Sequence, residues 1–233
     1  MAEINYDDYL KTLSKISKAI TSDLYLEDIL KLIVTLTANV MKAKVCNVWL
    51  FDEKNQEFNI AATQAMHKEY LKKRTIKLNE GIVGLVAREK KPKIIYEVLK
   101  EELYKEKKLA RKEGLVSMVS VPMIVKDKVI GVLNVYTTSP YEFTKADINL
   151  LGIVANQAAI AIEKTELIVK TKVIQEELET RKKVEKAKGI LMKEKGMGEE
   201  EAFSLIRKSS MSKRIPMKEV AEAIILSYEI IKN

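Results

Sequence analysis

Lys182, Lys186, Gly189 and Lys193 recur in steps of four, three and four within RKKVEKAKGILMK. On a helix of 3.6 residues per turn, that spacing gathers them into one stripe. Three ammonium groups in a row suit phosphates, because Lys and Arg neutralise a nucleic-acid backbone without reading its bases. The glycine needs a reason, since at mid-helix it costs about 1 kcal/mol against alanine. Close approach of another helix, or of a ligand backbone, is such a reason. The opposite side offers Val184, Ala187 and Leu191 for packing. A second basic group, Arg207, Lys208, Lys213 and Arg214, follows, with the acids Glu199, Glu200 and Glu201 set apart from it. Segregated charge points to a polyanion more than total charge does; a solvated lysine face is the plainer alternative.

Catalytic chemistry finds little support. The 233 residues hold one cysteine, Cys46, and one histidine, His67. Cys46 sits in an apolar run with no neighbouring His and reads as a small buried hydrophobe, and His67 as structural or exposed. There is no P-loop, HExxH, GxSxG or CxxC, and no clustered acidic ligand set. The chain is therefore expected to be no enzyme and to need no cofactor or metal.

Lys and Arg number 41 against 33 Asp and Glu, a formal charge of +8. A polyanionic partner and a Lys/Glu-rich surface suited to heat explain this equally well. No run of about 18 apolar residues is present, so no membrane span is expected. The N-terminus, MAEINYDDYLK, lacks the basic and apolar regions of a signal peptide. A single cysteine excludes an internal disulfide, and a reducing cytoplasm is the expected compartment.

The elements that must position the basic groups read as follows. Leu10, Leu13, Ile16 and Ile20 mark a first amphipathic helix; Ile29, Leu32, Ile33, Leu36 and Val40 mark a second, capped by Ser22 or Asp23. Val45–Phe51 and Phe58–Thr63 form a hairpin. A short strand (75–78) leads into NEGIVGLVARE, a buried helix in which Gly81 and Gly84 allow close backbone approach. Another short strand spans 93–96, and Glu101–Lys112 reads as a surface helix ended by Gly114. Val116–Val125 and Val129–Tyr136 form a second hairpin, with Pro122 demanding an edge or a bulge. Thr144 with Asp147 opens a long helix in a capping-box arrangement. Its later apolar positions, Leu167, Ile168, Val169, Val173, Ile174 and Leu178, suit a weak parallel coiled coil. Gly196 ends it. A second tail helix buries Ala202, Phe203, Leu205 and Ile206, and a third, begun at Pro216, carries the stripe Val220, Ala223, Ile224, Ser227 and Ile231. The fold class is α+β, a mostly antiparallel sheet flanked by helices and followed by a three-helix tail.

Three strings, LNEGIVGLVAREKKPKII, GLVSMVSVPMIVKDKVIGVLNVY and FTKADINLLGIVANQAAIAIE, resemble the GAF domain. The resemblance implies a small-ligand or signal-sensing domain over residues 5–163 that dimerises through its terminal helices. It does not name a ligand. The NKFDE-type signature of cyclic-nucleotide binders is missing, as is the Cys beside His of bilin binders. Trp49, Tyr96, Tyr104, Ser117 and Asn134 are the candidate pocket residues, for a possible small-molecule ligand.

After a linker helix (164–180), the segment 181–233 resembles the ANTAR domain through AKGILM, EEAF, LIRKSSM and VAEAI. This resemblance implies binding of paired RNA stem-loops in nascent transcripts and prevention of an intrinsic terminator. The family pattern maps onto Ala187, Lys188, Gly189, Ala202, Arg207, Met211 and Ser212. With Arg181, Lys182, Lys186, Lys193, Lys208 and Arg214 they make the expected RNA-binding set. Ile215–Pro216 departs from the polar, basic run usual there. The expected function is a homodimeric, GAF-controlled transcription antitermination regulator. The alternatives are a sensor whose tail docks on a protein and a DNA-binding tail.

Overall fold

The computed structural model describes residues 6–65 and 74–232, with side chains up to Ile230; His67 falls outside the described residues. The chain divides into two compact units, Met1–Thr165 and Glu166–Asn233.

In the first unit, α1 (Tyr6–Ile20) and α2 (Leu26–Val40) precede β1 (Val45–Asp52) and β2 (Glu57–Thr63). Then come β3 (Thr75–Lys77), α3 (Gly81–Glu89), β4 (Lys93–Ile95), α4 (Lys107–Glu113), β5 (Met118–Val125) and β6 (Lys128–Tyr136). The strands form one six-stranded sheet in the order β3-β2-β1-β6-β5-β4. Every recorded neighbour pairing is antiparallel. Alternation along β1 sends Cys46 and Val48 into one core with α1, α2 and the start of α5 (Lys145–Lys195), and Val45 and Trp49 into another with α3 and α4. Both faces of the sheet are thus covered by helices, so its central strands read as nearly continuous apolar runs.

Several local expectations resolve in detail. Pro122 lies in β5 beyond the reach of β4, whose pairing ends at Lys93 opposite Ser120, so the missing N–H costs no ladder bond. A register shift follows between Met123 and Ile124. Gly84 needs its hydrogen, because a Cβ there would lie 2.4 Å from the Leu78 carbonyl oxygen. At the start of α5, Asp147 Oδ2 accepts from the Thr144 N–H and hydroxyl (both 2.8 Å), while Thr144 Oγ1 accepts from the Asp147 N–H at 3.2 Å. Tyr9 and Tyr141 donate to the same carboxylate.

Three readings need correction. Neither Ser22 nor Asp23 caps α2: its N-cap is Tyr25, with no side-chain bond, and Ser22 donates back to Ala19 instead. The helix expected over 101–112 is confined to Lys107–Glu113, with Tyr104 buried ahead of it. And Phe203 is not in the core of the tail but 41 % exposed.

In the second unit, the end of α5 packs with α6 (Glu199–Lys213) and α7 (Met217–Lys232) around Val184, Ala187, Leu191, Ala202, Ile206, Val220 and Ala221. Gly196, at φ +64°, closes α5, and Arg214, at φ +55°, closes α6. Ile215–Pro216 makes a tight turn there: the Ile215 N–H bonds to the Ser210 carbonyl, and the Ser210 hydroxyl bonds to the Ile215 carbonyl at 2.6 Å. Ion pairs Lys218–Glu179, Lys183–Glu222 and Lys186–Glu229 lie in ascending order on both helices, so α7 runs parallel to α5.

Candidate nucleic-acid interface

On α5 the core row is Val184, Ala187, Lys188 and Leu191. The stripe Lys182, Lys186, Gly189 and Lys193 is exposed and lies roughly opposite, at about 100° of rotation per residue. Beyond its chain neighbours and its own helix backbone, no described residue comes within 4 Å of a Cβ built on Gly189, and its backbone is helical. No internal packing therefore calls for glycine at this position.

The expected contact set separates into three groups. Ala187 and Ala202 are fully buried and belong to the core, so a base cannot meet their side chains, which corrects their place in the expected RNA-binding set. Lys188 is also inside, 7 % exposed, with its ammonium 2.8 Å from Glu199 Oε1 and 2.9 Å from Glu185 Oε2. Hydrogen bonds to Glu199 and then Glu185 hold its pKa above the ordinary lysine value. Lys188 thus acts as a bracket between the end of α5 and the start of α6, not as a free cation. Its neighbour Lys186 is exposed but ion-paired to Glu229 at 2.9 Å.

The remaining basic residues are outward. Arg181, Lys182, Lys193, Lys195, Arg207, Lys208, Lys213 and Arg214 are exposed and carry no ion pair among the described residues. Helical phase divides those on α6. Phe203, Arg207 and Met211 form one row at i, i+4 and i+8, and Lys208 and Ser212 lie on another side of the helix. Met211 is 69 % exposed and Ser212 is exposed as well. Sequence reading missed Phe203 as a surface aromatic, and Lys195 as part of the basic surface. The signal for Phe203 was its i, i+4 spacing with Arg207 and Met211, which sets it off the Ala202–Ile206 row.

A groove of about 780 Å³ opens between the end of α5, α6 and α7. Its apolar floor includes Ile190, Leu205, Ile215 and Ile224, and Lys193, Lys195 and Lys213 stand on its lining. The stripe read on α7 falls here: Val220, Ala223, Ile224 and Ser227 all line it, Val220 being buried in the core with Ala221 while Ala223 and Ser227 are exposed.

The candidate ligand residues of the first unit are mostly interior. Trp49, Asn134 and Ser117 are buried, as is Tyr104, whereas Tyr96 is 57 % exposed and lines no core. Ser117 is structural: its hydroxyl donates to the Tyr96 carbonyl and accepts from the Tyr141 N–H. Asn134 accepts from Ser120 at 2.6 Å, on the strand next to Asn47, its register partner. Asn47 was not foreseen. Its side-chain amide and the Trp49 indole N–H are buried with no hydrogen-bond partner among the described residues, on one face of β1. Arg74 lies over the Trp49 ring at 5.5 Å and is ion-paired with Glu106. Burial raises the Glu106 pKa, opposed by Arg74. Burial likewise pushes the Cys46 thiol up, which leaves it unreactive. Among the described residues no group of His, Cys, Asp and Glu could hold a metal, and no helix is long and apolar enough to cross a membrane.

Comparisons with known proteins agree with this division. The GAF domain family model matches residues 24–163, and the ANTAR domain model matches 172–225. Similar solved structures include the GAF domain of an Acinetobacter phosphoenolpyruvate-protein phosphotransferase, at 28% identity and TM-score 0.61, covering 73% of this chain and 99% of that one. A second, from Coxiella burnetii, has 22% identity and TM-score 0.66, covers 71% and 99%, and supports the fold alone. Among curated proteins, the transcriptional regulatory protein PdtaR of Mycobacterium tuberculosis is 48% identical over 52 residues, 22% of this chain and 25% of its own length. The nitrate regulatory protein of Klebsiella oxytoca is 38% identical over 81 residues, 35% of this chain and 20% of its own length. This chain thus spans a quarter or less of the length of these curated relatives. With an α+β sheet domain matched over more than half its length and a helical tail matched after it, the chain belongs to the GAF domain family and carries a following ANTAR domain.

Proposed function

We propose that this chain is a transcription antitermination regulator that binds paired RNA hairpins in nascent transcripts through its ANTAR domain, under control of its GAF domain. The observation that carries the reading is, among the described residues, the set of exposed basic residues without an ion pair, Arg181, Lys182, Lys193, Arg207, Lys208 and Arg214 among them, beside a glycine that no other element packs against. The ANTAR match and relatives named as regulators support it. Lys and Arg hold phosphates, and unstacked loop bases meet small and planar groups between them.

A homodimer fits the same reading. Ile153, Ile160, Leu167 and Ile174 stand exposed on α5 at strict seven-residue intervals, the period at which identical parallel helices pair. A small polar ligand in the GAF domain is supported by the unpartnered Asn47 amide and Trp49 N–H, since buried polar groups otherwise find partners. The test of the central claim is a gel-shift series. RNA with two hairpins binds, RNA with one binds less well, and duplex DNA binds poorly. Equal binding to duplex DNA, or none to RNA, refutes it.

A further inference from the structure

The groove between α5, α6 and α7 has three features that constrain its occupant. Its floor is apolar: Ile190, Leu205 and Ile224 are partly exposed, beside the buried Leu191 and Val220. Its lysines are Lys193 and Lys195 from the end of α5 and Lys213 from the end of α6, with Glu194 as the only acid on the lining among the described residues. None of the three is ion-paired among the described residues, although other lysines of this unit are. Its volume, about 780 Å³, is that of a cleft for a compact ligand. A lysine supporting the C-terminal dipole of its own helix accounts for one cation at each helix end. It does not account for an apolar floor left open beside them, nor for Ala223 and Ser227 staying exposed on the lining.

The occupant is therefore flat or compact, apolar on its faces and anionic at its margin. An unstacked nucleotide has that form, with an apolar base attached to a phosphate. Tyr228 brings an aromatic ring to the same lining, where a base can stack. The basic stripe leads here as well, since Lys193 belongs to both the stripe and the groove.

We infer that the α5–α6–α7 groove is the subsite for one loop nucleotide of the RNA, its base seated on the apolar floor and its phosphates held by Lys193, Lys195 and Lys213. This deepens the RNA-binding reading and rests on it.

The test uses the full chain and RNAs bearing two identical hairpins with randomised loops, from which a bound sequence is selected. Each loop position is then made abasic in turn, and two variants fill the groove from exposed positions, Ala223→Phe and Ser227→Phe. The expected result is that one abasic position weakens wild-type binding by about ten-fold or more, in the range set by loss of a stacked base. Each filling variant lowers affinity for intact RNA by a similar factor. Combined with the abasic RNA, neither lowers it further. Independent, multiplying losses, or filling variants that bind as wild type, overturn the subsite while the RNA-binding reading stands. A filling variant that changes the oligomeric state by light scattering also overturns the subsite and makes the groove an interface between copies. If the wild type selects no two-hairpin RNA, both fall. Both variants are checked for native melting temperature, and Lys213→Gln, which removes a rim charge without filling the floor, must weaken binding and lower its salt dependence.

Discussion

Replacing Gly189 with alanine separates folding from binding in one experiment. The position is mid-helix, exposed, helical in φ, and open for at least 4 Å around a new Cβ. Alanine there adds no clash, and it removes the conformational freedom glycine has in the unfolded chain. The expected gain is the full propensity difference, about 1 kcal/mol. This is about a five-fold change in an opening equilibrium. Hydrogen exchange of the intact protein should therefore slow by up to about five-fold for the amides flanking Gly189 that exchange through opening of this unit.

RNA binding should move the other way. If Gly189 is kept so that a ligand backbone can approach the helix, the new methyl group occupies that space. Affinity for two-hairpin RNA then falls, while exchange protection rises. A Gly189→Ala variant that is stabilised and binds RNA as wild type would show that the glycine serves no contact. One that is destabilised would show that the helix is not as open at Gly189 as its geometry indicates.

Other expectations follow from the same structure. Changing Lys182 and Lys193 together to Gln should reduce the slope of log affinity against log salt by up to about 1.4, at about 0.7 for each phosphate no longer neutralised; an unchanged slope places these lysines off the RNA. Leu167→Glu together with Ile174→Glu should shift the protein to monomer by multi-angle light scattering with its far-ultraviolet circular dichroism intact, and a persisting dimer refutes the seven-residue stripe as the interface. Lys188→Met should lower the stability of the second unit, because it leaves Glu199 and Glu185 without their shared ammonium, and loss of RNA affinity without loss of stability would contradict its bracket role. Glu106 has a folded-state pKa raised by burial, so the folded state binds its proton more tightly. Stability from this group is fully present below the ordinary value of 4.5 and lost as pH rises through the raised one. Glu106→Gln should flatten that decline, measured by denaturant midpoints across the acidic range.

The sheet was readable because its strands announce themselves by period and by β-branched runs, and because Pro122, Thr144 and Gly84 each have one physical use. The cap of α2 was not readable: Ser22 had a nearer carbonyl, that of Ala19, and sequence does not rank two short hydrogen bonds. In the tail, periodicity found the α5 core row but misplaced Phe203 and Ala223. Both lie one or two positions from truly buried residues, and a short helix leaves a rotation of that size undetermined. Lys188 shows the limit most sharply. It entered the expected contact set through the family resemblance, yet its helical phase puts it on the row of Val184, Ala187 and Leu191, where Glu199 and Glu185 pair its ammonium. Asn47 was hidden for the opposite reason, since its burial depends on strands far away in sequence.

The parallel α5–α7 ion pairs have a consequence for selectivity. Lys183, Lys186 and Lys218 spend their charge on Glu222, Glu229 and Glu179. The tail is thus a partly self-neutralised surface instead of a uniform polycation. A long, featureless polyanion such as duplex DNA gains counterion release only in proportion to the cations it can reach at once. Here the carboxylates of Glu179, Glu222 and Glu229 already compete for three of the lysines. On the proposed RNA-binding reading, a ligand would have to bring its phosphates to the exposed cations to be held, so shape would become a condition of binding before any base is read.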